Sequence, residues 1–356
     1  MKPKYQMIAD DIRDKIIQKQ FLEDSPIPTE IEFQKIYNVS RPTIRQALAL
    51  LVNEDYLFKK RGAGTFINNR RFFKNSTKTI GVITTYISEY IFPSIIRGIE
   101  EELASLGYSL ILSSTNNDFN QEKKCIEKMI ASNVDGLIIE PTKSNLFNPN
   151  LSSYVTLREH NIPIVMINST YEELDIPYYG IDDIEMCYSS TLELINNGHK
   201  NLLLITKIDD LQGKYRMKGF IKACEKHNIS LTSSSIITYT TENRYDISDM
   251  VLNSITINPK ISGIICYNDF VAKKLITFLT QKGYSIPDDY SVVGHDNFYD
   301  DQHEKISLTT FNHPKEKLGK DVSKAIIDAI KTGKMPSNKL YSPIISRGNS
   351  VKKISS

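Results

Sequence analysis

From Thr79 onward the chain repeats one pattern. Short apolar runs at 80–84, 109–113, 136–139, 164–167, 202–206, 261–266 and 291–294 alternate with amphipathic segments such as 94–106 and 185–196. Short Ile/Val/Leu-rich runs separated by helix-length stretches predict parallel strands joined by crossover helices, because a parallel connection takes a dozen or more residues. Such strands are buried on both faces. The expected body is an α/β domain built as two doubly wound lobes rather than one wide sheet. Its ligand site is expected in a cleft at the carboxyl ends of the strands.

Those strand ends are rich in polar residues. Tyr86, Glu89 and Tyr90 follow the first run, and Glu140, Asn168, Lys207 with Asp209 and Asp210, Asn268 with Asp269, and Asp296 with Asn297 follow later ones. Side chains that donate and accept, set beside aromatic rings, suit a polyhydroxylated ligand, since each buried hydroxyl must be paired. The same residue types also cap helices, and Asn268 with Asp269 opens one.

Ahead of this body lies a different pattern. Thr29 followed by Glu32 is a capping box, so a helix starts there. Ser40 stands at the next N-cap position, Pro42 falls in the first turn, and Ile44, Leu48, Leu51 and Val52 repeat at helical spacing, giving a second helix over about 41–53. Its other face carries Arg41, Thr43, Arg45 and Gln46, the layout of a helix that reads base edges. Tyr56-Leu57-Phe58 and Thr65-Phe66-Ile67 flank Lys59-Lys60-Arg61-Gly62-Ala63-Gly64, a hairpin with cations at its tip. An earlier helix presents Tyr5, Ile8, Ala9, Ile12, Ile16 and Ile17 on one face. The module's expected core is Ile8, Ile12, Ile16, Ile36, Ile44, Leu48 and Leu51. The expected domains are 1–68, a polar linker at 69–78, and 79–356.

Charge supports a nucleic-acid partner for the N-terminal part. Residues 1–71 hold 13 Lys and Arg against 9 Asp and Glu, net +4, and the remaining 31 against 33 give −2. No apolar run reaches eighteen residues, and Met1-Lys2-Pro3-Lys4-Tyr5 does not open a signal peptide, so a cytoplasmic protein without a membrane span is expected. Cys125, Cys187, Cys224 and Cys266 are far apart, which predicts reduced, buried thiols. No cofactor and no metal site are expected.

The stretch 27–67 resembles the winged helix-turn-helix of the GntR family, through its Pro28-Thr29-Glu30 opening, its core Val39-Ser40-Arg41-Pro42-Thr43-Ile44-Arg45-Gln46-Ala47-Leu48 and its Gly62-Ala63-Gly64-Thr65-Phe66 wing. Ile31 stands where many members carry arginine, and Pro42 replaces a side chain that donates to DNA. The resemblance implies DNA contacts from Lys4, Tyr5, Thr29, Glu30, Ser40, Arg41, Thr43, Arg45, Gln46, Lys60, Arg61, Gly62 and Gly64. Residues 79–350 resemble the effector domain of the lactose/galactose-repressor family and, more distantly, periplasmic sugar-binding proteins. The matching motifs include Val134-Asp135-Gly136-Leu137-Ile138-Ile139, Arg216-Met217-Lys218-Gly219-Phe220, Tyr267-Asn268-Asp269 and Val293-Gly294-His295-Asp296. The resemblance places sugar contacts at Arg216, Asn268 and Asp296, with Glu140, Asn168 and His313 in the pocket lining. The full expected effector set is Tyr86, Glu89, Tyr90, Glu140, Asn168, Asp182, Lys207, Arg216, Asn268, Asp296 and His313.

The pairing of these two parts is similar to the arabinose-responsive repressor family of Gram-positive bacteria. It implies a homodimer, double-stranded operator DNA as one partner and a small sugar, L-arabinose, as the other. Three rivals stand beside it: a sugar-modifying enzyme using Glu89, Glu140 and Asp296, an exported sugar receptor, and an activator responding to another small polar ligand.

Overall fold

The computed structural model describes residues 3–17, 20–21, 25–54, 56–60, 62–67, 76–298 and 305–354. The chain divides into two compact units, Met1–Thr77 with Asp328–Lys334, and Lys78–Ile327 with Met335–Ser356.

The first unit holds α1 (Lys4–Ile17), α2 (Glu30–Tyr37), α3 (Arg41–Asn53) and an antiparallel hairpin of β1 (Leu57–Lys60) and β2 (Gly64–Ile67). The capping box forms: Thr29 N donates to Glu32 Oε2 at 2.7 Å, and Glu32 N donates to Thr29 Oγ1 at 3.4 Å. Ile8, Ala9, Ile12, Ile16, Phe33, Ile44, Ala47, Leu48, Leu51 and Leu57 form the core. Ile36 is not in it and stands 58% exposed. Phe33 and Tyr37, one turn apart, take the inward face of the short α2, and that register turns Ile36 to solvent. At the hairpin tip Gly62 and Gly64 adopt φ of +79° and +115°, in a region that disfavours residues with a Cβ. Ile17's side chain, Arg61, residue 68 and residues 69–75 of the expected linker lie outside the described residues.

In the second unit β3 (Thr79–Thr84), β4 (Ser109–Ser114), β5 (Gly136–Ile139), β6 (Ile164–Ile167) and β7 (Tyr178–Ile181) join β13 (Lys339–Tyr341) in a six-stranded parallel sheet of order β13-β7-β6-β5-β3-β4. A second parallel sheet contains β8 (Leu202–Lys207), β9 (Ile236–Tyr239), β10 (Gly263–Cys266) and β11 (Ser291–Val293) in the order β11-β10-β8-β9. β12 (Thr310–Asn312) pairs antiparallel with β14 (Ile344–Ser346). The chain passes between the lobes after β7, after β12 and after β13. β5, β6 and β10 are buried along their whole length, as strands covered on both faces require.

The two lobes are therefore as expected, and five strands were not foreseen: β7, β9, β12, β13 and β14. They have only three or four residues each and carry Tyr, Thr, Asn, Lys or Ser among their apolar positions. The run at 261–266 contracts to Gly263–Cys266, and the helix expected at 94–106 begins at Phe92, with Pro93 in its first turn. That helix packs closely on helix Lys315–Thr332: a Cβ on Gly98 would strike the Glu316 backbone, and one on Gly319 the backbone of Ile95. All four cysteines are buried and unpaired. Among the described residues no helix is long and apolar enough to cross a membrane, and no His/Cys/Asp/Glu group is placed to hold a metal ion.

Candidate functional site

The carboxyl ends of both sheets face a cleft of about 600 Å³. Its floor is built on Arg216, from helix Leu211–Lys226. Gly213 lets that helix start tight against the Lys207 carbonyl at the end of β8, and Gly219 lets it lie on the Ile184 carbonyl of helix Asp183–Asn196, so no Cβ fits at either position. Arg216 is thereby buried, with Nε donating to Asp183 Oδ1 at 2.8 Å, one terminal nitrogen donating to the Tyr267 carbonyl, and the guanidinium 4.6 Å over the Tyr267 ring. Its other terminal nitrogen stands 3.8 Å from Asp296 Oδ1. Burial works against the guanidinium charge, but Asp183 and Asp296 outweigh it and keep the group fully ionised. Burial raises Asp183 to about 6 in spite of Arg216.

Asp296 follows β11 with φ +97° and is buried. Its Oδ2 accepts from the Tyr90 hydroxyl at 2.5 Å, whereas Oδ1 has no hydrogen-bond partner among the described residues. A buried carboxylate oxygen left unpaired is costly, so this atom is an acceptor waiting for a donor. Tyr90 comes from the other lobe; it also accepts from Asp269 N at 3.3 Å, and its ring packs 4.6 Å from that of Phe298. Burial raises its hydroxyl well above the usual tyrosine range, so it stays a donor.

On the first lobe Glu140 directly follows β5. Oε2 accepts from Thr85 N (3.0 Å) and Thr85 Oγ1 (2.5 Å), and Oε1 accepts from Asn168 Nδ2 (2.9 Å). Burial lifts its carboxyl to about 7, against the pull of these donors. Asn168, at φ +62°, sits 3.1 Å through Oδ1 from His313 Nε2, and His313 Nδ1 is buried without a partner among the described residues. Burial lowers His313 to about 4, so the ring is neutral and the Nε2 proton serves Asn168. On the second lobe Lys207 holds Asp210 at 2.7 Å and Asp209 at 3.4 Å; burial would lower its ammonium, but the two carboxylates hold it above its usual range.

Of the expected effector residues, Tyr86, Glu89, Tyr90, Glu140, Lys207, Arg216, Asn268 and Asp296 line this cleft. Asn168 and His313 stand behind the wall, touching it through Glu140. Asp182 does not line it: its side chain accepts from Glu185 N at 2.9 Å and caps helix Asp183–Asn196. Asn268 does both, lining the cleft while its Oδ1 caps helix Asp269–Gln281. The sequence reading missed Asn117, Gln212, Tyr239, Thr241 and Tyr267 in the lining. The β-branched run before Tyr239 was the available signal for two of them, because it makes β9 a strand and puts Tyr239 and Thr241 at its carboxyl end.

Two family models match the chain: "Periplasmic binding proteins and sugar binding domain of LacI family" over residues 77–349, and "Bacterial regulatory proteins, gntR family" over residues 4–67. An arabinose metabolism transcriptional repressor of Halalkalibacterium halodurans is 42% identical over 337 residues, covering 93% of this chain and 90% of that protein. One of Geobacillus stearothermophilus is 40% identical over 358 residues, covering 99% and 98%. The chain belongs to this repressor family. Its fold is shared with the crystal structure of transcription regulator CcpA of Lactococcus lactis, at a TM-score of 0.68 and 24% identity over 77% of this chain and 99% of that one. It is shared too with a LacI-family regulator of Enterococcus faecium solved with bound ribose, at a TM-score of 0.65 and 24% identity over 78% and 100%.

The GntR part of this family member presents Arg41, Arg45 and Gln46 exposed on α3, with Thr43 half-buried. Arg41 Nε donates to Glu30 Oε2 at 2.8 Å, and Arg45 Nε lies 3.9 Å from Glu30 Oε1. One carboxylate thus gathers both guanidiniums. Ser40 does not cap α3 through its side chain; its Oγ pairs with Thr43 Oγ1 at 2.9 Å. Thr29 is engaged in the capping box, Lys4 and Lys60 are exposed, and Tyr5 leans on the module core. Gly62 and Gly64 shape the wing tip, and Arg61 lies outside the described residues.

Proposed function

We propose that this protein is a cytoplasmic, homodimeric repressor that binds operator DNA and is released by L-arabinose. The observation that carries the reading is the pair formed in the cleft by Arg216 and Asp296, whose free Oδ1 offers a buried acceptor beside a buried guanidinium. Together they match adjacent hydroxyls, one donating and one accepting. The choice of L-arabinose rests on the two repressors that are 40–42% identical across both units. In each copy α3 enters a major groove with Arg41, Arg45 and Gln46 toward base edges, while Lys60 and the glycine-tipped wing follow the backbone. Glu30 carries negative charge, so its contribution is to hold the two arginines rather than to meet phosphate.

Sugar bound between the lobes changes how the dimer holds its two readers. It shifts that equilibrium only by its differential affinity for the DNA-bound and free arrangements. An enzymatic reading fits less well. Glu140 is tied by three hydrogen bonds and Asp296 by Tyr90, which suits fixed acceptors more than a mobile acid–base pair. Calorimetric titration of the full chain with L-arabinose, D-xylose, D-ribose and D-galactose tests the effector: L-arabinose should bind most tightly and Asp296→Asn should abolish binding. Equal binding of all four sugars, or an unaffected variant, would remove this assignment.

A further inference from the structure

The cleft's cations fall into two groups. Lys207 and Arg216, deep in the site, are matched by Asp209 and Asp210 and by Asp183 and Asp296. Arg244 and Lys274 line the same cleft, and among the described residues neither forms an ion pair. Both are exposed and both converge on Tyr245. The Arg244 guanidinium lies 5.1 Å from the Tyr245 ring centroid and donates to the tyrosine oxygen at 3.0 Å. Lys274 Nζ lies 5.8 Å from the same centroid and 4.4 Å over the Phe270 ring. Because Tyr245 Oη accepts from Arg244, its own proton is left to donate outward. Tyr86 lines the same cleft as this group. The carboxylate of Glu89 lines the same cleft and acts on Tyr245 against the charges of Arg244 and Lys274.

A guanidinium, an ammonium and a phenol converging on one spot are the donors that a phosphoryl group uses. The cleft volume is in the range that holds drug-sized ligands, which leaves room beyond a single pentose. We propose that the rim formed by Arg244, Tyr245 and Lys274 is a subsite for a phosphoryl group, so that the cleft takes a phosphorylated pentose as well as the free sugar. This rests on the sugar reading of the same cleft. It gives the regulator a way to sense a sugar after phosphorylation by a kinase-class reaction, beside the sugar itself.

The test compares L-arabinose, arabinose 5-phosphate and inorganic phosphate by calorimetry at low and high salt. The proteins are the full chain and the double variant Arg244→Gln, Lys274→Gln, with operator binding in the absence of sugar as the folding control. The native protein should bind the ester at least tenfold more tightly than the free sugar. The preference should shrink with salt and disappear in the double variant. Inorganic phosphate that competes with the ester but not with arabinose would place the phosphoryl source at the free anion, and phosphate that binds nowhere alone would place it at the ester. Equal affinity of the native protein for ester and sugar, or a preference that survives in the double variant, overturns the subsite. Failure of both compounds to bind overturns the sugar reading as well.

Discussion

Glu140→Gln isolates one buried charge without changing the volume of the cleft wall. In the native protein burial holds this carboxyl at about 7, against an unperturbed value of 4.5. Between those two values the folded protein keeps a proton that the unfolded chain has lost, so stability falls as pH rises through the window. That displacement corresponds to on the order of 3 kcal/mol, fully lost above about pH 7.5. The glutamine variant lacks this slope. Its amide oxygen keeps the two Thr85 donors, but its NH2 faces Asn168 Nδ2, a donor against a donor. Turning over the Asn168 amide relieves that clash. His313 then moves its proton to the unpaired Nδ1 and accepts at Nε2. The variant is therefore expected to tolerate the change at a modest penalty, and to gain on the native protein as pH rises. Thermal unfolding of both proteins from pH 5 to 8.5 checks this: the difference in Tm should move in the variant's favour by several degrees over the range. Parallel curves would show that Glu140 is not a buried carboxyl of raised pKa.

Arg216→Ala should destabilise the body by about 3–5 kcal/mol, because it strands Asp183 and Asp296 in a buried site, and the loss should ease at low pH as Asp183, raised to about 6 by burial, takes up a proton; calorimetric unfolding at pH 5 and 8 reads it. Asp296→Asn, a milder change, should keep operator affinity while losing the sugar response, which titration of a labelled operator complex resolves. Arg45→Ala should cost about 1–3 kcal/mol of specific binding and relax one operator position in a binding-site selection. Lys60→Ala should weaken binding to all sequences alike and reduce the salt slope by about one.

What was legible in the sequence is what local chemistry encodes. The capping box at Thr29, the apolar faces of α1 and α3 and the strongly apolar strands β3, β5, β6, β8 and β10 follow from residue spacing alone. The short strands β7, β9, β12, β13 and β14 were not legible, since three or four residues carry too little periodicity and their pairing is imposed by neighbours far along the chain. Ile36 failed for a related reason, because a two-turn helix leaves its facing to the packing around it. The polar residues at the strand ends were legible as a set. Their division into Glu140 on the wall, Asn168 and His313 behind it, and Asp182 turned to a helix end depends on backbone direction at each strand terminus. Asn117 and Tyr267 adjoin strand ends that were legible, but which side chain there faces the cleft is set by backbone direction and not by residue type.

A sugar response requires coupling between the cleft and the DNA-reading module. The most direct measurement is fluorescence anisotropy of a labelled operator bound to the full chain, titrated with L-arabinose. Release over a saturable range of sugar, with the same midpoint as calorimetric sugar binding under linked conditions and no release in Asp296→Asn, is the predicted result. An operator complex that persists at saturating L-arabinose, with the sugar shown to be bound, would contradict it.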